Sequence, residues 1–502
     1  MNVTPFSAVK AANQQFRTIP VIGECFADAV TPIHIVQQLG DEVAFILESK
    51  DDESPWARFS FIGLNPFVEL IEQNGVYQSI SRSGSILVET EDFKSCLQQT
   101  IDVLDVQPLE RELPFYGGAV GYMAYDAIET IEKTLANARE SEAPLYHFLF
   151  CETLIVYDHT EKKLAVIYLS TEDGGSLDTR YKCAVNTIET VVETIHKRRD
   201  GDRLLRPAPV QDEVSFQEVS SNYEKEVFLR DVERIKEYIR AGDIFQAVLS
   251  QRFERELSVR ALDVYRVLRM INPSPYLFYI KFQDVEVVGS SPERLVQVQD
   301  GHVEIHPIAG TRKRGATREE DEALAKELLA DEKERAEHYM LVDLARNDIG
   351  RIAEYGTVKT PTLLEIGKFS HVMHIISKVT GELKQTLHPL DALRYGFPAG
   401  TVSGAPKIRA MEILNELEPT KRGIYAGAIA YLGFDGNIDS CIAIRTMIVK
   451  DGRAYIQAGA GIVADSVPEN EYEETRNKAK ALLKAVEMAE AMFAKKEATP
   501  RV

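Results

Sequence analysis

GAGIVADSVPENEYEETRNK, residues 459–478, runs from a strand pattern through a glycine turn into a helix pattern. The apolar run that precedes it, residues 454–458, predicts a strand. Pro468 suits the first position of a helix, and Ser466 with Glu469 three residues later has the spacing of a capping box. The sequence therefore predicts a strand, a glycine turn whose backbone is not covered by side chains, and a helix that begins near Pro468.

Carboxylates recur at one-turn spacing in this helix and in a second one. Glu471 and Glu474 share one face of the helix that follows Pro468. Glu334 and Glu337 have the same relation in a second helical pattern. Two carboxylate pairs on separate helices fit a Mg²⁺ site completed by water and substrate oxygens. Each pair taken alone equally fits a solvated acidic helix face, so both interpretations stay open.

The overall charge restricts the expected partners. The 502 residues carry 78 acidic and 58 basic side chains, for a formal net charge of -20. No basic tract interrupts this balance, so we expect no nucleic acid and no membrane as a partner. An anionic substrate would need local arginine, lysine, backbone N-H groups or a metal ion to hold it. The five cysteines show no CxxC spacing and no apolar run has membrane-spanning length, so a cytoplasmic location is expected.

The order of the patterns predicts the fold class and two regions. Residues 1–205 form an N-terminal region and residues 216–502 a second domain, because the charged, proline-containing segment 197–218 has the character of a linker. Residues 319–347 show one long helical pattern. Strand patterns otherwise follow one another without regular crossover helices, which predicts an α+β fold with mainly antiparallel sheets.

Four further features could carry chemistry. Arg445 lies in an apolar strand pattern and needs an anionic partner, which could be a ligand or an internal ion pair. Glu293 follows a strand and could be a partly buried acid or a turn residue. His374 falls on one face of a strand, where a structural histidine is the alternative. The glycine, serine and threonine loop at 397–407 opens a helix and could bind an anion or simply start that helix.

Six motifs occur together in the order found in one enzyme family. They are GDIFQAVLSQ at 242–251, GSSPE at 289–293, PIAGTR at 307–312, DEKERAEH at 331–338, the loop at 397–407 and the stretch at 459–478. By these motifs the chain resembles the chorismate-utilising enzymes, and in particular anthranilate synthase component I. The resemblance spans essentially the whole chain and is strongest between about residues 220 and 485. It implies the fold of that family, in which two packed, mainly antiparallel β-sheets are flanked by helices.

The resemblance also implies roles for individual residues. In this family chorismate binds with Mg²⁺, a nucleophile adds at ring C2, and the C4 hydroxyl leaves. The implied metal ligands are Glu337 and Glu474, with Glu334 and Glu471 acting through water. The implied substrate contacts are Tyr425, Arg445, the backbone of Gly459, Ala460 and Gly461, and Lys478. The implied catalytic residues are the general acid Glu293, His374 near C2 and the later pyruvate elimination, and Thr401 lining the site.

Two positions indicate which nucleophile is used. Gln246 falls where the relatives that add water carry a lysine that activates it. The amide of Gln246 is a poor base by comparison. Ala309 falls where many aminodeoxychorismate synthases carry a lysine that attacks C2. The resemblance therefore implies external ammonia, supplied by a glutamine amidotransferase subunit (component II) in a hetero-oligomer, and anthranilate as the product. Aminodeoxychorismate synthase, an enzyme that stops at aminodeoxyisochorismate, and a non-catalytic tryptophan-binding regulator are the alternatives.

Three segments, LES at 47–49, RFSFIG at 58–63 and NPSPY at 272–276, resemble the family's tryptophan feedback site. The residues implied in tryptophan binding are Glu48, Ser49, Arg58, Pro275, Tyr276 and Leu277. By pattern alone Glu48 and Ser49 only end a strand. Feedback inhibition by tryptophan is therefore an expectation that depends on the resemblance.

Overall fold

A computed structural model describes residues 1–50, 58–109, 113–136, 139, 141–172, 175–197, 214–368 and 372–493. The strands of this part are β1 (Asn2–Val3), β2 (Ile19–Phe26), β3 (Val43–Glu48), β4 (Phe59–Gln73), β5 (Val76–Ser81), β6 (Ile86–Thr90), β7 (Gly118–Met123), β8 (Tyr146–Asp158), β9 (Lys163–Ser170), β10 (Ser220–Ser221), β11 (Gln246–Glu256), β12 (Tyr276–Lys281), β13 (Glu286–Ser291), β14 (Arg294–Gln299), β15 (His302–Ile305), β16 (Ile308–Lys313), β17 (Lys359–Lys368), β18 (Val372–Glu382), β19 (Gly404–Ala405), β20 (Ala428–Gly433), β21 (Ile438–Ile442), β22 (Thr446–Lys450) and β23 (Arg453–Ile462). The α-helices are α1 (Phe6–Ala12), α2 (Pro32–Leu39), α3 (Phe93–Leu104), α4 (Ile128–Ile131), α5 (Leu177–His196), α6 (Lys225–Ala241), α7 (Ala261–Ile271), α8 (Arg318–Ala330), α9 (Glu332–Ile352), α10 (Pro389–Gly396), α11 (Lys407–Leu417) and α12 (Pro468–Phe493).

The strands form one hydrogen-bonded network with two branches. The first branch runs in the order β1, β2, β9, β8, β4, β3, β12, β13, β22, β23, β11. The second runs in the order β6, β5, β4, β8, β7, β20, β21, β14, β15, β18. The branches share the long strands β4 and β8, whose register shifts between Pro66 and Val68. The first half of β4 and the second half of β8 therefore belong to the first branch. The remaining halves of the two strands belong to the second branch.

The two branches pack face to face, with helices on their outer surfaces. The layer between them is rich in buried aromatic side chains that come from both branches, among them Phe61, Tyr122, Phe278 and Tyr431. Helices α2, α5, α7 and α12 cover the first branch, and α3, α9 and α10 cover the second. Every pairing between the strands named above is antiparallel. The α+β prediction with mainly antiparallel pairing is confirmed, and the two predicted sheets prove to be continuous through β4 and β8.

Two local predictions about helices are wrong. The pattern at 319–347 is two helices, because Asp331 ends α8 and its side chain accepts the N-H groups of Lys333 and Glu334 at the start of α9. Helix α12 begins at Pro468 as predicted, so its N-cap position is Val467 and not the Ser466 of the predicted capping box. Ser466 Oγ instead accepts the N-H of Val463, which tightens the loop before the helix.

The two predicted regions are joined by strand pairing. Strand β3 pairs with β12, and β7 pairs with β20, so both branches contain strands from either side of the predicted boundary. Most of the predicted linker, residues 198–213, lies outside the described residues. In the described part of the chain, no helix combines the length and the apolar character that crossing a membrane requires.

Candidate active site

A cavity of about 790 Å³ lies where β11 and β23 of the first branch meet α9, α12 and β18. Its lining includes most of the residues predicted for the site: Glu293, Glu337, His374, Thr401, Tyr425, Arg445, Gly459, Gly461, Glu471, Glu474 and Lys478. Glu334 and Ala460 are the predicted residues that do not line it. Side chains from distant parts of the chain therefore converge on one space.

The glycine stretch supplies one wall of this cavity. Pairing of β23 with β22 ends at Ile456, whereas pairing with β11 continues to Ile462. Added Cβ atoms at Gly459 and Gly461 would lie 2.9 Å from Tyr425 Oη and 2.6 Å from Gln246 Nε2. A side chain at either position would have to displace its neighbour, and the backbone beyond Ile456 lies open to the cavity. Ala460 turns its side chain into the core behind the wall and can contribute backbone only.

Arg445 reaches the cavity from a break in the strand pattern. The run predicted as one strand is divided into β21 and β22, and Arg445 lies between them with a left-handed backbone φ of 49°. Its half-buried guanidinium forms no ion pair with any carboxylate in the described part of the chain, and burial lowers its pKa. The predicted internal ion pair is therefore not found there. A cationic group without a partner at a cavity wall is suited to hold a carboxylate ligand.

Glu293 is placed as a proton donor. Thr401, in a short 3-10 turn at Gly400–Val402, donates its hydroxyl to Glu293 Oε1 at 2.9 Å. Burial raises the pKa of Glu293 to about 7, although the Thr401 hydrogen bond and the charge of Lys478 oppose this rise. A carboxyl with this pKa is partly protonated at neutral pH, so it can give a proton to a leaving group.

His374 is held in one tautomer at the wall formed by β18. Its Nδ1 lies 2.8 Å from the carbonyl oxygen of Gly310 and 3.1 Å from Thr311 Oγ1. Because a carbonyl oxygen can only accept, Nδ1 carries the proton and Nε2 is the basic nitrogen. Burial lowers the pKa of His374, which keeps the ring neutral at neutral pH. The ring can therefore accept a proton from a ligand in the cavity.

The carboxylates fit a hydrated cation. Removal from bulk water and the charge of Glu334 raise the pKa of Glu337, and burial raises that of Glu471. Neither forms an ion pair with a basic side chain of the described residues, whereas Glu334 pairs with Arg312 at 3.3 Å. No three acidic, histidine or cysteine side chains of those residues converge closely enough to enclose a metal ion. Mg²⁺ commonly binds to one or two carboxylates and keeps several waters, so uncompensated carboxylates on two facing helices are a suitable donor set.

Lys478 joins the glycine wall to the carboxylate helix. Its Nζ lies 2.8 Å from the carbonyl oxygen of Gly459 and 2.7 Å from Glu474 Oε1. The predicted contact with a substrate carboxylate would thus compete with two existing contacts. A cation held by Glu474 would compete for one of these contacts, and the ammonium group of Lys478 would then be able to turn toward a ligand.

A family model described as chorismate binding enzyme matches residues 44–484 of the chain. The chain belongs to this chorismate-binding enzyme family. It is 53% identical over 507 residues to anthranilate synthase component 1 of Geobacillus stearothermophilus, with 99% of each protein covered. It is 53% identical over 486 residues to the protein of that name from Bacillus subtilis (strain 168), covering 96% of this chain and 94% of that protein. The crystal structure of anthranilate synthase component I from Streptococcus pneumoniae TIGR4 matches with a TM-score of 0.75 at 40% identity, over 91% of this chain and 99% of that one.

These similarities confirm the resemblance inferred from the motifs. The relatives that carry the component 1 name match nearly the full length of the chain, including the N-terminal region. Within the chorismate-binding family, the chain therefore groups with the anthranilate synthase component I proteins.

Arg422 is a residue of this family member that the sequence pattern did not indicate. It is buried, and its guanidinium donates to Glu418 and to the carbonyl oxygens of Val248 and Val402. It also lies 5.7 Å from the centre of the Tyr425 ring. These contacts fix three parts of the active-site wall. Its neighbours in sequence show no periodicity that marks it, and Val248 is 174 residues away.

A second, narrow cavity of about 140 Å³ lies between the two branches. Its lining contains the predicted tryptophan residues Glu48, Ser49, Pro275, Tyr276 and Leu277. Further polar side chains in the lining are Arg294, His306 and Asp439. The cavity therefore combines apolar walls with groups of both charges.

Two of the predicted tryptophan residues form ion pairs within the protein. Arg58 does not line this cavity, because its guanidinium pairs with Asp158 at 2.6 Å and Glu161 at 3.2 Å. The carboxylate of Glu48 accepts hydrogen bonds from Arg269 and Tyr265 at 2.6 to 2.8 Å. Glu48 thus ties β3 to helix α7 rather than offering a free carboxylate.

Proposed function

We propose that the protein is the large subunit of an anthranilate synthase, a Mg²⁺-dependent lyase that converts chorismate and ammonia to anthranilate, pyruvate and water. The observation that carries this proposal is the unpaired guanidinium of Arg445, which faces the same cavity as the protonatable Glu293 and the uncompensated Glu337. A dicarboxylate needs cationic groups to bind it, and a leaving hydroxyl needs an acid. This cavity meets both requirements. The names of the relatives support this choice of reaction.

Binding would orient the dicarboxylate across the cavity. Arg445 and backbone N-H groups of residues 459–461 would hold one carboxylate. Mg²⁺, held by Glu337 and Glu474 directly and by Glu334 and Glu471 through water, would neutralise the other carboxylate when bound. Tyr425 is buried against Arg422 and forms a rigid wall. The ring of chorismate would thus face both Glu293 and His374.

The protein groups would then move two protons. As the C2–N bond forms, the C4–O bond breaks, and Glu293 gives its proton so that the hydroxyl leaves as water. The new ammonium group returns a proton to Glu293. In the second stage Nε2 of His374 accepts the C2 proton, the C3–O bond breaks and pyruvate leaves, taking up the proton at its methylene carbon. Thr401 keeps the Glu293 carboxyl in place through both stages.

The nature of the cavity wall favours ammonia as the nucleophile. Gln246 and Ala309 both line the cavity, and neither can activate water as a base or attack C2 as an amine. We infer that ammonia comes from glutamine through an amidotransferase subunit, component II, because the chain's relatives are named component 1. The working enzyme would then be a hetero-oligomer, and we place it in the cytoplasm.

The test is to incubate the purified chain with chorismate, Mg²⁺ and ammonium salt and to follow anthranilate fluorescence and pyruvate. Formation of both products supports the proposal. An amino product without pyruvate would instead support an aminodeoxychorismate or aminodeoxyisochorismate synthase. Tryptophan binding without any turnover of chorismate would support a regulator. Isochorismate or salicylate as the main product would contradict the assignment.

We further propose that tryptophan inhibits the enzyme by binding in the narrow cavity between the branches. Apolar lining from Leu277 and its aromatic neighbours suits an indole ring, while Asp439 and Arg294 suit the charged groups of an amino acid. Calorimetric titration with tryptophan and with phenylalanine tests this proposal. Equal binding of the two amino acids would contradict an indole site.

A further inference from the structure

A third cavity, of about 920 Å³, lies beside the candidate active site along the same strand. Tyr455 and Gln457 of β23 line this side cavity, while Gln457, Gly459 and Gly461 line the active-site cavity. Alternate residues of one strand thus lead from one cavity into the other. Gln457 and Tyr425 line both cavities and form a partition between them.

The partition carries a hydrogen-bond acceptor that the protein does not use. Gln457 is only 7% exposed, and its Nε2 donates to Ser250 Oγ at 2.9 Å. Its Oε1 has no hydrogen-bond partner in the described part of the chain. The hydroxyl of the fully buried Tyr122, in the side cavity, likewise lacks a partner there. An unpartnered buried polar atom is costly, so these atoms are suited to a small polar ligand.

The other half of the partition is rigid. Tyr425 lies against Arg422, whose guanidinium is fixed by Glu418 and by two backbone carbonyl oxygens. Both side chains are buried, so only a molecule much smaller than a ring-sized dicarboxylate could pass between them. We therefore expect a small molecule to cross the partition beside Gln457 and not beside Tyr425.

We propose that ammonia reaches the chorismate cavity through the side cavity and is received at the partition by Gln457 Oε1. Ammonia is small and offers N-H donors, and a carbonyl acceptor leaves its nitrogen lone pair free for attack. A hydrogen-bond donor at this place would occupy that lone pair instead. This inference rests on the proposed function, because only an ammonia-using enzyme needs the route.

The test measures the rate of anthranilate formation by the full-length chain as ammonium chloride is varied at fixed pH with saturating chorismate and Mg²⁺. Gln457→Leu should raise the ammonium concentration for half-maximal rate roughly tenfold, because ammonia loses about one hydrogen bond. The chorismate KM and the melting temperature should stay within about twofold and about 2 °C, which a merely structural role would not predict. Gln457→Glu keeps an acceptor oxygen at this place and should retain the wild-type ammonium dependence.

A second pair of variants tests the route without touching the active-site cavity. Ile448→Trp fills the side cavity and should also raise the half-saturating ammonium concentration. Leu363→Trp, on exposed β17 away from both cavities, is the matched control and should leave it unchanged. Wild-type ammonium dependence in both Gln457→Leu and Ile448→Trp would overturn the route while the proposed function stands. Absence of anthranilate with the wild-type chain would overturn the proposed function itself.

Discussion

The pKa of one carboxyl group should set the alkaline limit of the reaction. In the proposed mechanism Glu293 acts in its protonated form, and burial raises its pKa to about 7, so kcat should fall as pH rises above that value. Rates should be compared at equal concentrations of free ammonia, because the ammonia fraction itself rises with pH. Glu293→Gln should lower kcat by about 10² to 10⁴ and remove this limb of the pH profile.

Thr401→Val provides a control for the origin of that pKa. The Thr401 hydroxyl donates to Glu293 and stabilises the ionised carboxylate, so its loss should raise the pKa and move the alkaline limb to higher pH. A profile that moves to lower pH, or a wild-type profile without an alkaline limb, would contradict the role of Glu293 as the acid.

Arg445 and Arg422 should respond differently to the same substitution. Arg445 has no ion pair among the described residues, so Arg445→Gln should raise the chorismate KM roughly 10- to 100-fold without lowering the melting temperature. Arg422 forms a buried ion pair with Glu418, so Arg422→Gln should lower the free energy of unfolding by about 3 to 5 kcal/mol. Chorismate kinetics and urea unfolding of both variants make the comparison. A large loss of stability in Arg445→Gln would contradict its function as a substrate anchor.

Sequence reasoning identified Arg445 but could not decide its role. An arginine in an apolar run predicts an anionic partner, yet the sequence does not say whether that partner is a side chain or a ligand. The answer depends on which carboxylates lie nearby in space. The same limit explains Glu48, whose partners Tyr265 and Arg269 are 217 and 221 residues away.

At the scale of the element, the carboxylates of helix α12 fall into two groups, one inside and one outside the active-site cavity. Glu471 and Glu474 line the active-site cavity, whereas Glu473 pairs with Arg476 at 3.5 Å outside it. Glu474→Gln should therefore raise the Mg²⁺ concentration needed for half-maximal rate, and Glu473→Gln should not. Without chorismate, Mg²⁺ should raise the melting temperature of the wild type and of Glu473→Gln more than that of Glu474→Gln, because ligand binding stabilises the folded state. Equal Mg²⁺ dependence in all three proteins would contradict the metal assignment.

Element boundaries were predicted well where one local signal dominates and less well where a side chain makes an unexpected contact. Pro468 fixes the start of α12, and the helix begins there. Ser466 accepts the N-H of Val463 in the loop before the helix, a contact that the spacing alone could not show. The helix break at Asp331 was missed because both halves continue the same charged pattern.

At the scale of the whole molecule, strand alternation predicted the antiparallel α+β class but not how the strands pair. The junction between the branches depends on β4 and β8 each serving two neighbours, and β7 pairs with β20 some 300 residues later, where Ala119 faces Leu432. Such long-range pairing has no signature within either strand. The family motifs, by contrast, placed most of the site residues, because their order along the chain reflects one shared architecture.

The arrangement of the cavities predicts how inhibition by tryptophan would reach the active site. Pro275, Pro292 and Ile308 line both the narrow cavity and the active-site cavity, so the two share a wall. Glu293 and Arg294 are consecutive residues that line the active-site cavity and the narrow cavity respectively. A ligand that moves this wall would displace Glu293, the proposed acid.

Ser49→Ala tests this connection, because Ser49 lines the narrow cavity and not the active-site cavity. Loss of one hydrogen bond to tryptophan should raise the half-inhibitory tryptophan concentration roughly tenfold and leave kcat and the chorismate KM unchanged. Ser83→Ala, in an exposed turn, is the matched control. Inhibition curves with varied tryptophan, together with calorimetric titration, separate binding from its effect on catalysis. Unchanged inhibition in Ser49→Ala would show that tryptophan acts elsewhere, whereas weakened inhibition with normal turnover would place the inhibitory site in the narrow cavity and outside the active site.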